Sequence, residues 1–421
     1  MGSRFRASSE AGMTFNTPAI VVPSMRSVKP ETAGRPYDQI RQVPARATTA
    51  ILLSVTLVAA CQPSSSSSRQ TPTPTATAVM TCPARAASPG GQVMLSGLAS
   101  PDDLAFDAEG RLLFGDIKNG TVSRLSSTGV VEQVGTGLQV PEGIVARPDG
   151  RLLVAEQGRN RIVLLDPSNQ AVTLWRTFAN RTGKEGIDGI GLDPLSDEVI
   201  VPDSPNGILW RVSPDGATAR RIGAGMTRPV GTVVDQQEAV VVADEGGSVW
   251  KFSAPFQQRR IARLPTPDDV VVDHGGNLFI NTLGDGSIHM IDPAGHQSVV
   301  LRGLQSPQGL ALDGADNIVY TDTGGSIGRL ARTFFLDRPV VTKSGQGLVV
   351  ICPALRRAGG YTDPLELSVV PSTGVTVVSL VQPSGDQSGQ VEVRRAAGAA
   401  AFVDLRLRAG LLEIRQRVPL P

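Results

Sequence analysis

The sequence predicts an all-β chain: a six-bladed β-propeller with four-stranded blades, followed by a small C-terminal β-sandwich. Three observations lead to this fold class. A motif recurs about every 40 residues between residues 92 and 332. Short runs inside each repeat alternate apolar and polar residues, as half-buried strands do. The 46 Gly and 31 Pro residues of the 421-residue chain supply many tight turns and exclude a helical bundle.

The first sixty residues predict an export signal rather than a folded unit. An apolar run over residues 47–60 follows Arg41 and Arg46 and is too short to span a bilayer. Its end, Leu57-Val58-Ala59-Ala60-Cys61, resembles the bacterial lipobox, in which the Cys receives a diacylglycerol. We therefore expect residues 1–60 to be a leader and lipoprotein signal peptide, with Met25 as an alternative start and lipidation at Cys61. The alternative is a Cys that merely ends an ordinary signal sequence.

Residues 61–80 are rich in Ser, Thr and Pro and cannot bury a core. They predict a spacer between the membrane and the folded part. The mature protein is then extracytoplasmic and lipid-anchored to a bacterial membrane, which it contacts only through the lipid on Cys61.

The remaining cysteines, Cys82 and Cys352, form an even pair in an oxidising compartment. We expect them to form a disulfide. Two separate buried thiols are the alternative.

The clearest element of the repeat is Pro-x-[Gly/Asp]-aliphatic, which opens the first strand of each unit. Six copies assign the propeller to residues 81–335. They are 101–104, 141–144, 187–190 (where Ile187 replaces Pro), 229–232, 267–270 and 307–310. Residues 92–98 read as a fourth strand without the three that should precede it. They are expected to complete the last blade and close the ring.

The run from Pro141 to Glu156 is similar to the blade consensus of NHL-repeat and gluconolactonase/regucalcin-like six-bladed propellers. The resemblance covers the repeat region only, and propellers host unrelated functions. After Pro339 the period is lost. Residues 336–421 predict about seven short strands of an Ig-like sandwich, or else a closing appendage of the propeller.

The residue before the Gly/Asp position should enter one rim of the central tunnel. These residues are Asp102, Glu142, Asp188, Val230, Asp268 and Gln308. Converging carboxylates repel one another unless protons or a cation neutralise them, and Ca²⁺ prefers such oxygen ligands. We therefore predict Ca²⁺ or another divalent cation at Asp102, Glu142, Asp188, Asp268 and Gln308, with solvated loop carboxylates as the alternative.

The family resemblance implies a divalent ion at this rim and an Asp that serves as both ligand and general base. Residues 267–273 resemble the family's Pro-Asp-Gly-x-x-x-Asp run, so Asp268 inherits both roles. Val230 stands where the family places an amide ligand, and Asp269 replaces its Gly. These departures weaken the case for activity more than the case for the metal.

A second acidic set ends the second strand of the units: Asp116, Glu156, Asp203, Asp244 and Asp322. Turn capping is its expected role. The three histidines, His274, His289 and His296, have no zinc-type spacing and form no Ser/His/Asp relay.

The balance of 40 basic against 39 acidic residues provides no basic field for nucleic acid. Two functions remain. The first is a monomeric module that binds a small molecule, a glycan or a protein at an acidic rim that favours cationic ligands. The alternative is a metal-dependent lactone or ester hydrolase that uses Asp268.

Overall fold

The computed structural model describes Cys82 and residues 85–86, 91–179, 185–253, 257–344, 347–385, 387–398, 401–410 and 412–421. The predicted leader, Cys61 and the tether lie outside the described residues. Everything described belongs to one unit, residues 76–421. Among these residues, no helix has both the length and the apolar character needed to cross a membrane.

The described chain is all-β, as predicted, and its only helical segment is the 3₁₀ turn Gln157–Arg159. Six four-stranded antiparallel sheets are present in this part of the chain, and we number them 1 to 6 along the sequence. Such sheets are consistent with a β-propeller.

The strands of sheets 1 to 3 follow β1 (Arg85–Ala86) and β2 (Gln92–Ser96). Sheet 1 contains β3 (Pro101–Phe106), β4 (Leu112–Asp116), β5 (Thr121–Leu125) and β6 (Val131–Gly135). Sheet 2 contains β7 (Pro141–Ala146), β8 (Leu152–Glu156), β9 (Arg161–Asp166) and β10 (Ala171–Thr177). Sheet 3 contains β11 (Gly191–Leu192), β12 (Val199–Asp203), β13 (Ile208–Val212) and β14 (Ala219–Ala224).

Sheets 4 to 6 repeat this pattern. Sheet 4 contains β15 (Pro229–Val234), β16 (Val240–Asp244), β17 (Ser248–Ser253) and β18 (Gln257–Arg263). Sheet 5 contains β19 (Pro267–Val272), β20 (Leu278–Thr282), β21 (Ser287–Ile291) and β22 (Gln297–Arg302). Sheet 6 contains β23 (Leu310–Leu312), β24 (Ile318–Asp322), β25 (Ser326–Leu330) and the early strand β2.

The motif proline marks the start of the first strand in sheets 1, 2, 4 and 5. The second strand of each of sheets 1 to 5 is buried along its whole length, because it lies inside its own sheet and packs on both faces. In sheet 3, where Ile187 replaces the proline, the first strand shortens to Gly191–Leu192.

Strand β2 pairs antiparallel with β25, from Gln92 opposite Arg329 to Ser96 opposite Ser326. The first strand of the repeat region thus supplies the fourth strand of sheet 6, as its position in the repeat predicts. The pairing covers an edge of β25 that would otherwise be open.

Six apolar clusters join the sheets in cyclic order. Each of five clusters combines residues of consecutive sheets, for example Leu113 with Leu152 and Val230 with Ile280. The sixth joins sheet 6 to sheet 1 through Val319, Ile327 and Leu104.

The third motif residue of each first strand contacts the following sheet. A Cβ on Gly143 would lie 2.7 Å from the carbonyl oxygen of Asp188, and one on Gly231 would lie 2.5 Å from the Cα of Asp269. In sheet 5 the carboxylate of Asp269 takes this place and accepts the N–H of Leu310 at 2.8 Å. In the same way, the carboxylate of Asp103 in sheet 1 accepts the N–H of Ile144 in sheet 2.

The C-terminal part forms two further sheets. Its strands are β26 (Thr333–Ser344), β27 (Leu348–Ala358), β28 (Glu366–Pro371), β29 (Val375–Val381), β30 (Gln390–Arg395), β31 (Phe402–Ala409) and β32 (Leu412–Pro419). One sheet contains β1, β26, β27, β30 and β29, and the other contains β28, β31 and β32. Residues of both sheets share one apolar core that includes Ile351, Val391 and Leu405. The long β26–β27 hairpin was not among the strands expected from the sequence.

A disulfide joins Cys82 to Cys352 of β27, with Cα atoms 5.3 Å apart. It links positions 270 residues apart in sequence. The chain before sheet 1 is thereby fixed to the C-terminal part.

Candidate functional site

The second motif residue is the candidate site residue in each sheet. Because the third residue faces the next sheet, its neighbour in an extended chain points to the opposite side. The structure brings four of these side chains together: Asp102, Glu142, Asp188 and Asp268, from sheets 1, 2, 3 and 5. We call these four residues the acidic rim.

The charges of the acidic-rim residues raise one another's pKa values. Burial, followed by the charges of Asp188 and Asp102, raises the pKa of both Glu142 and Asp268. Burial and the charge of Asp188 also raise the pKa of Asp102 well above its usual value. The unfavourable burial of several like charges therefore favours protonated carboxyls at this rim.

The other two sheets contribute differently. Val230 of sheet 4 is 1% exposed and offers no oxygen. Gln308, which precedes β23 of sheet 6, is partly buried, and its backbone carbonyl accepts a hydrogen bond from Asn281 Nδ2 at 2.6 Å.

Two of the four rim carboxylates have side-chain partners. Glu142 accepts a hydrogen bond from Gln157 in the 3₁₀ turn, and the same amide lies 3.4 Å from Asp188 Oδ2. Asp188 also accepts a hydrogen bond from Arg228 Nη2 at 2.8 Å. Burial raises the pKa of Asp188, but Arg228 opposes the shift and holds the pKa at about 6.

Asp102 and Asp268 differ from this pair. Each is only 7% exposed. Within the described part of the chain, neither forms a hydrogen bond or an ion pair with another side chain. These are the rim carboxylates that an added partner would satisfy.

Arg228 is the main cation of the site and was not among the residues expected from the sequence. It directly precedes β15, and its backbone N–H donates to Asp244 Oδ1 at 2.8 Å. Its guanidinium pairs with Asp188, with Glu185 at 3.0 Å and with Glu245 at 2.5 Å. Burial alone would lower the pKa of Arg228, but Asp188 and Glu245 together raise it.

A sequence signal for Arg228 exists. In the other copies with a motif proline, the residue before it is Ser100, Val140, Thr266 or Ser306, so Arg228 is the one charged residue at this position. The same copy carries Val230, which lacks an oxygen. Gln157 gives no comparable signal, because a glutamine after a strand is common in any surface turn.

Three members of the second acidic set, Asp116, Asp244 and Asp322, cap turns as expected, whereas Glu156 and Asp203 accept no backbone N–H group of the following turn in the described chain. Asp116 accepts the backbone N–H groups of Ala99 at 3.1 Å and Asn119 at 3.0 Å. Glu156 accepts the N–H of Gln139, and Asp322 accepts those of Gln305 and Gly324. Asp244 also accepts a bond from Trp250 Nε1. Within the described chain, the carboxylate of Asp203 accepts bonds only from the side chains of Asn206 and Trp210. Most of these bonds tie the end of the second strand to the loop that enters the first strand.

The histidines lie apart from the acidic rim. His274 pairs with Asp316 and His296 with Asp292, both on exposed turns. His289 is buried on β21, with its Nε2 3.4 Å from Asp285.

The predicted metal ligands do not form a metal site as they stand. No group of three or more His, Cys, Asp or Glu side chains in the described ranges is placed to hold a metal ion. Glu142 and Asp188 are committed to Gln157 and Arg228, and Val230 leaves a gap in the oxygen set. The donor set thus does not fit Ca²⁺, which needs six to eight oxygen ligands.

Comparison with known proteins adds family information. Residues 88–233 match the family model of the SMP-30/gluconolactonase/LRE-like region. This match confirms the resemblance to gluconolactonase/regucalcin-like proteins for sheets 1 to 3 and most of β15. None of the curated proteins compared with the chain matches it.

Solved structures show the same propeller-type fold. A gluconolactonase from Xanthomonas campestris is 17% identical with a TM-score of 0.51, and the alignment covers 60% of this chain and 97% of that one. A calcium-binding regucalcin from Agrobacterium tumefaciens is 13% identical with a TM-score of 0.51, covering 59% and 95%. A putative gluconolactonase is 16% identical with a TM-score of 0.50, covering 60% and 97%. At these identities the likeness concerns the fold alone.

Proposed function

We propose that this chain is a lipid-tethered, extracytoplasmic, monomeric binding module that holds a cationic group of its ligand at the acidic rim. The observation that carries the proposal is the pair Asp102 and Asp268. Both are buried carboxyls without a side-chain partner among the residues that the structure describes, and the charge of Asp102 raises the pKa of Asp268.

The architecture that we propose is a closed ring of six blades, one for each four-stranded sheet, with the C-terminal sheets as a small β-sandwich. Two features support the ring. The apolar clusters link consecutive sheets and return from sheet 6 to sheet 1. In the same order, the third motif residues contact the next sheet, including Gly309 of sheet 6 against Asp102 of sheet 1.

The chemistry of the rim favours an amine or guanidinium on the ligand. Such a group donates several charge-assisted hydrogen bonds and favours the ionised form of the two carboxyls, because its charge offsets the cost of burying theirs. The cation can belong to a small molecule, an amino sugar or a basic side chain of a protein.

Isothermal titration with L-argininamide at pH 7.5 and low salt tests this proposal. We expect saturable one-to-one binding by the wild type and at least about tenfold weaker binding by Asp102→Asn and Asp268→Asn, since one charge-assisted bond contributes about 1.5–3 kcal/mol. Asp149→Asn is the matched control, because Asp149 is an exposed acid in a turn of sheet 2 that pairs with Arg151. Equal affinity in all four proteins, or no binding by the wild type, contradicts the proposal.

The proposed tether rests on the lipobox-like end at Cys61 and on the disulfide, which is typical of an oxidising compartment. Labelling cells with radioactive palmitate tests it. We expect the wild type to carry the label and to fractionate with membranes, and Cys61→Ser to lose both properties. A labelled Cys61→Ser protein contradicts lipidation at this site.

A second candidate, a Ca²⁺-dependent lactonase with Asp268 as ligand and general base, is favoured by the family match alone. Lactone turnover and bound Ca²⁺ in the wild type and in Asp268→Ala distinguish it. Turnover that needs Ca²⁺ and disappears in Asp268→Ala supports the lactonase. A wild type that does not turn over lactones excludes the lactonase function.

A further inference from the structure

Arg228 forms ion pairs with three different carboxylates. Its two terminal nitrogens pair with Asp188 and Glu185, which precede β11, and with Glu245, which directly follows β16. The side chain is 24% exposed, so these contacts are only partly accessible to water. One guanidinium thus neutralises part of the charge of three carboxylates.

The position of Arg228 is fixed by the fold rather than by the ion pairs alone. Asp244 accepts the N–H groups of both Thr227 and Arg228, so the end of β16 holds the backbone that carries the guanidinium. Pro229 follows and begins β15. The backbone that carries the guanidinium is therefore held by hydrogen bonds that do not involve its ion-pair partners.

The influence of Arg228 extends beyond its direct partners. Its charge acts against the rise in pKa of Asp102 and Glu142, neither of which it pairs with directly. A charge that acts on several carboxylates at once is what a bound divalent cation would otherwise provide. Arg228 directly precedes β15 of sheet 4, the sheet in which Val230 supplies no oxygen ligand.

We propose that Arg228 is a built-in counter-ion that makes the acidic rim independent of divalent cations, and that the three carboxylates that pair with Arg228 bind one Ca²⁺ when the guanidinium is removed. Without Arg228, Glu185, Asp188 and Glu245 form three uncompensated carboxylates around the vacated space. Oxygen donors of this kind, completed by water, are the ligands that Ca²⁺ prefers. The inference does not depend on what the rim binds.

The test compares the wild type with Arg228→Ala, Arg228→Lys and a control, Arg220→Ala. Arg220 is an exposed arginine of sheet 3 that pairs with Glu198 at 3.1 Å. Equilibrium dialysis with radioactive Ca²⁺ measures the ions bound. Thermal unfolding in EDTA or in 5 mM CaCl₂ measures their effect on Tm, because an ion that binds only the folded state stabilises it.

We expect no tightly bound Ca²⁺ in the wild type, Arg228→Lys or Arg220→Ala, and no change in their Tm. Arg228→Ala should unfold at a lower temperature in EDTA, bind about one Ca²⁺ and regain about 5 °C or more with CaCl₂. If Arg228→Ala does not fold in EDTA, folding that is restored by CaCl₂ gives the same support. One Ca²⁺ bound to the wild type overturns the proposal, as does an Arg228→Ala protein that gains nothing from Ca²⁺.

Discussion

At the scale of single residues, carboxylates at equivalent motif positions have different roles because their neighbours differ. Asp188 is neutralised by Arg228, Glu142 is hydrogen-bonded by Gln157, and Asp102 and Asp268 are buried without side-chain partners in the described chain. One position in the repeat therefore produces three electrostatic environments.

The carboxyl of Asp269 makes stability depend on pH. Burial raises its pKa to about 7, against an ordinary value near 3.9 in an unfolded chain. Between these values the folded state holds the proton and the unfolded state does not. The contribution of Asp269 to the free energy of unfolding is therefore complete below about pH 4 and is lost as the pH rises to about 7.

We expect the free energy of unfolding, measured with urea at pH 5, 6, 7 and 8, to fall as the pH rises. The fall should be shallower in Asp269→Asn, which has no proton to lose. Asp149→Asn is the control, since the pKa of Asp149 is lowered and its titration ends below this range. Identical slopes in wild type and Asp269→Asn would show that Asp269 does not titrate there.

The sequence was sufficient to predict which motif position carries the rim acids. It could not predict their partners, because Gln157, Glu185 and Arg228 come from separate loops whose approach depends on how neighbouring sheets pack. Turn capping by Asp116 and Asp322 was predictable, since it is largely a local property of a strand end.

At the scale of elements, the contact between sheets depends on small residues at the third motif position. Gly309 precedes β23, and a Cβ there would overlap the carbonyl of Asp102 in sheet 1. The number and order of strands in each sheet of the repeat region could be predicted from the sequence repeat. The cross-sheet hydrogen bonds of Asp103 and Asp269 could not, because the same motif position accepts Gly by close packing and Asp by hydrogen bonding.

We expect Gly309→Ala to lower the free energy of unfolding by about 1–3 kcal/mol, the usual cost of overpacking. Gly314→Ala is the control, because a Cβ at Gly314 meets nothing within 4 Å. Urea unfolding followed by circular dichroism measures both. Equal stability of the two variants would contradict the close approach of sheets 6 and 1.

At the scale of the whole molecule, a buried arginine connects the repeat region to the C-terminal sheets. Arg332 pairs with Asp273 at 2.7 Å, lies over the ring of Phe279 and donates to the carbonyl of Gly359 at 3.1 Å. Asn277 adds a hydrogen bond to Thr362 at 3.2 Å. No pattern in the sequence indicated this link, because its contacts join residues 27 to 85 positions apart that belong to no motif.

Arg332→Ala should lower the free energy of unfolding by about 3–5 kcal/mol, because it leaves Asp273 buried without its cation. The control, Arg329→Ala, removes a more exposed pair with Asp313 and should cost about 0–1 kcal/mol. Thermal unfolding followed by calorimetry compares them. A similar small loss in both would show that the Arg332 pair contributes little to the connection.

The crystal structure of the wild type with L-argininamide tests the central claim most directly, namely that the rim formed by the first strands holds a cationic group. We expect the guanidinium of the probe between the carboxylates of Asp102 and Asp268, with Arg228 still paired to Asp188. A probe bound elsewhere on the protein, or a divalent ion among the rim carboxylates, would contradict the claim.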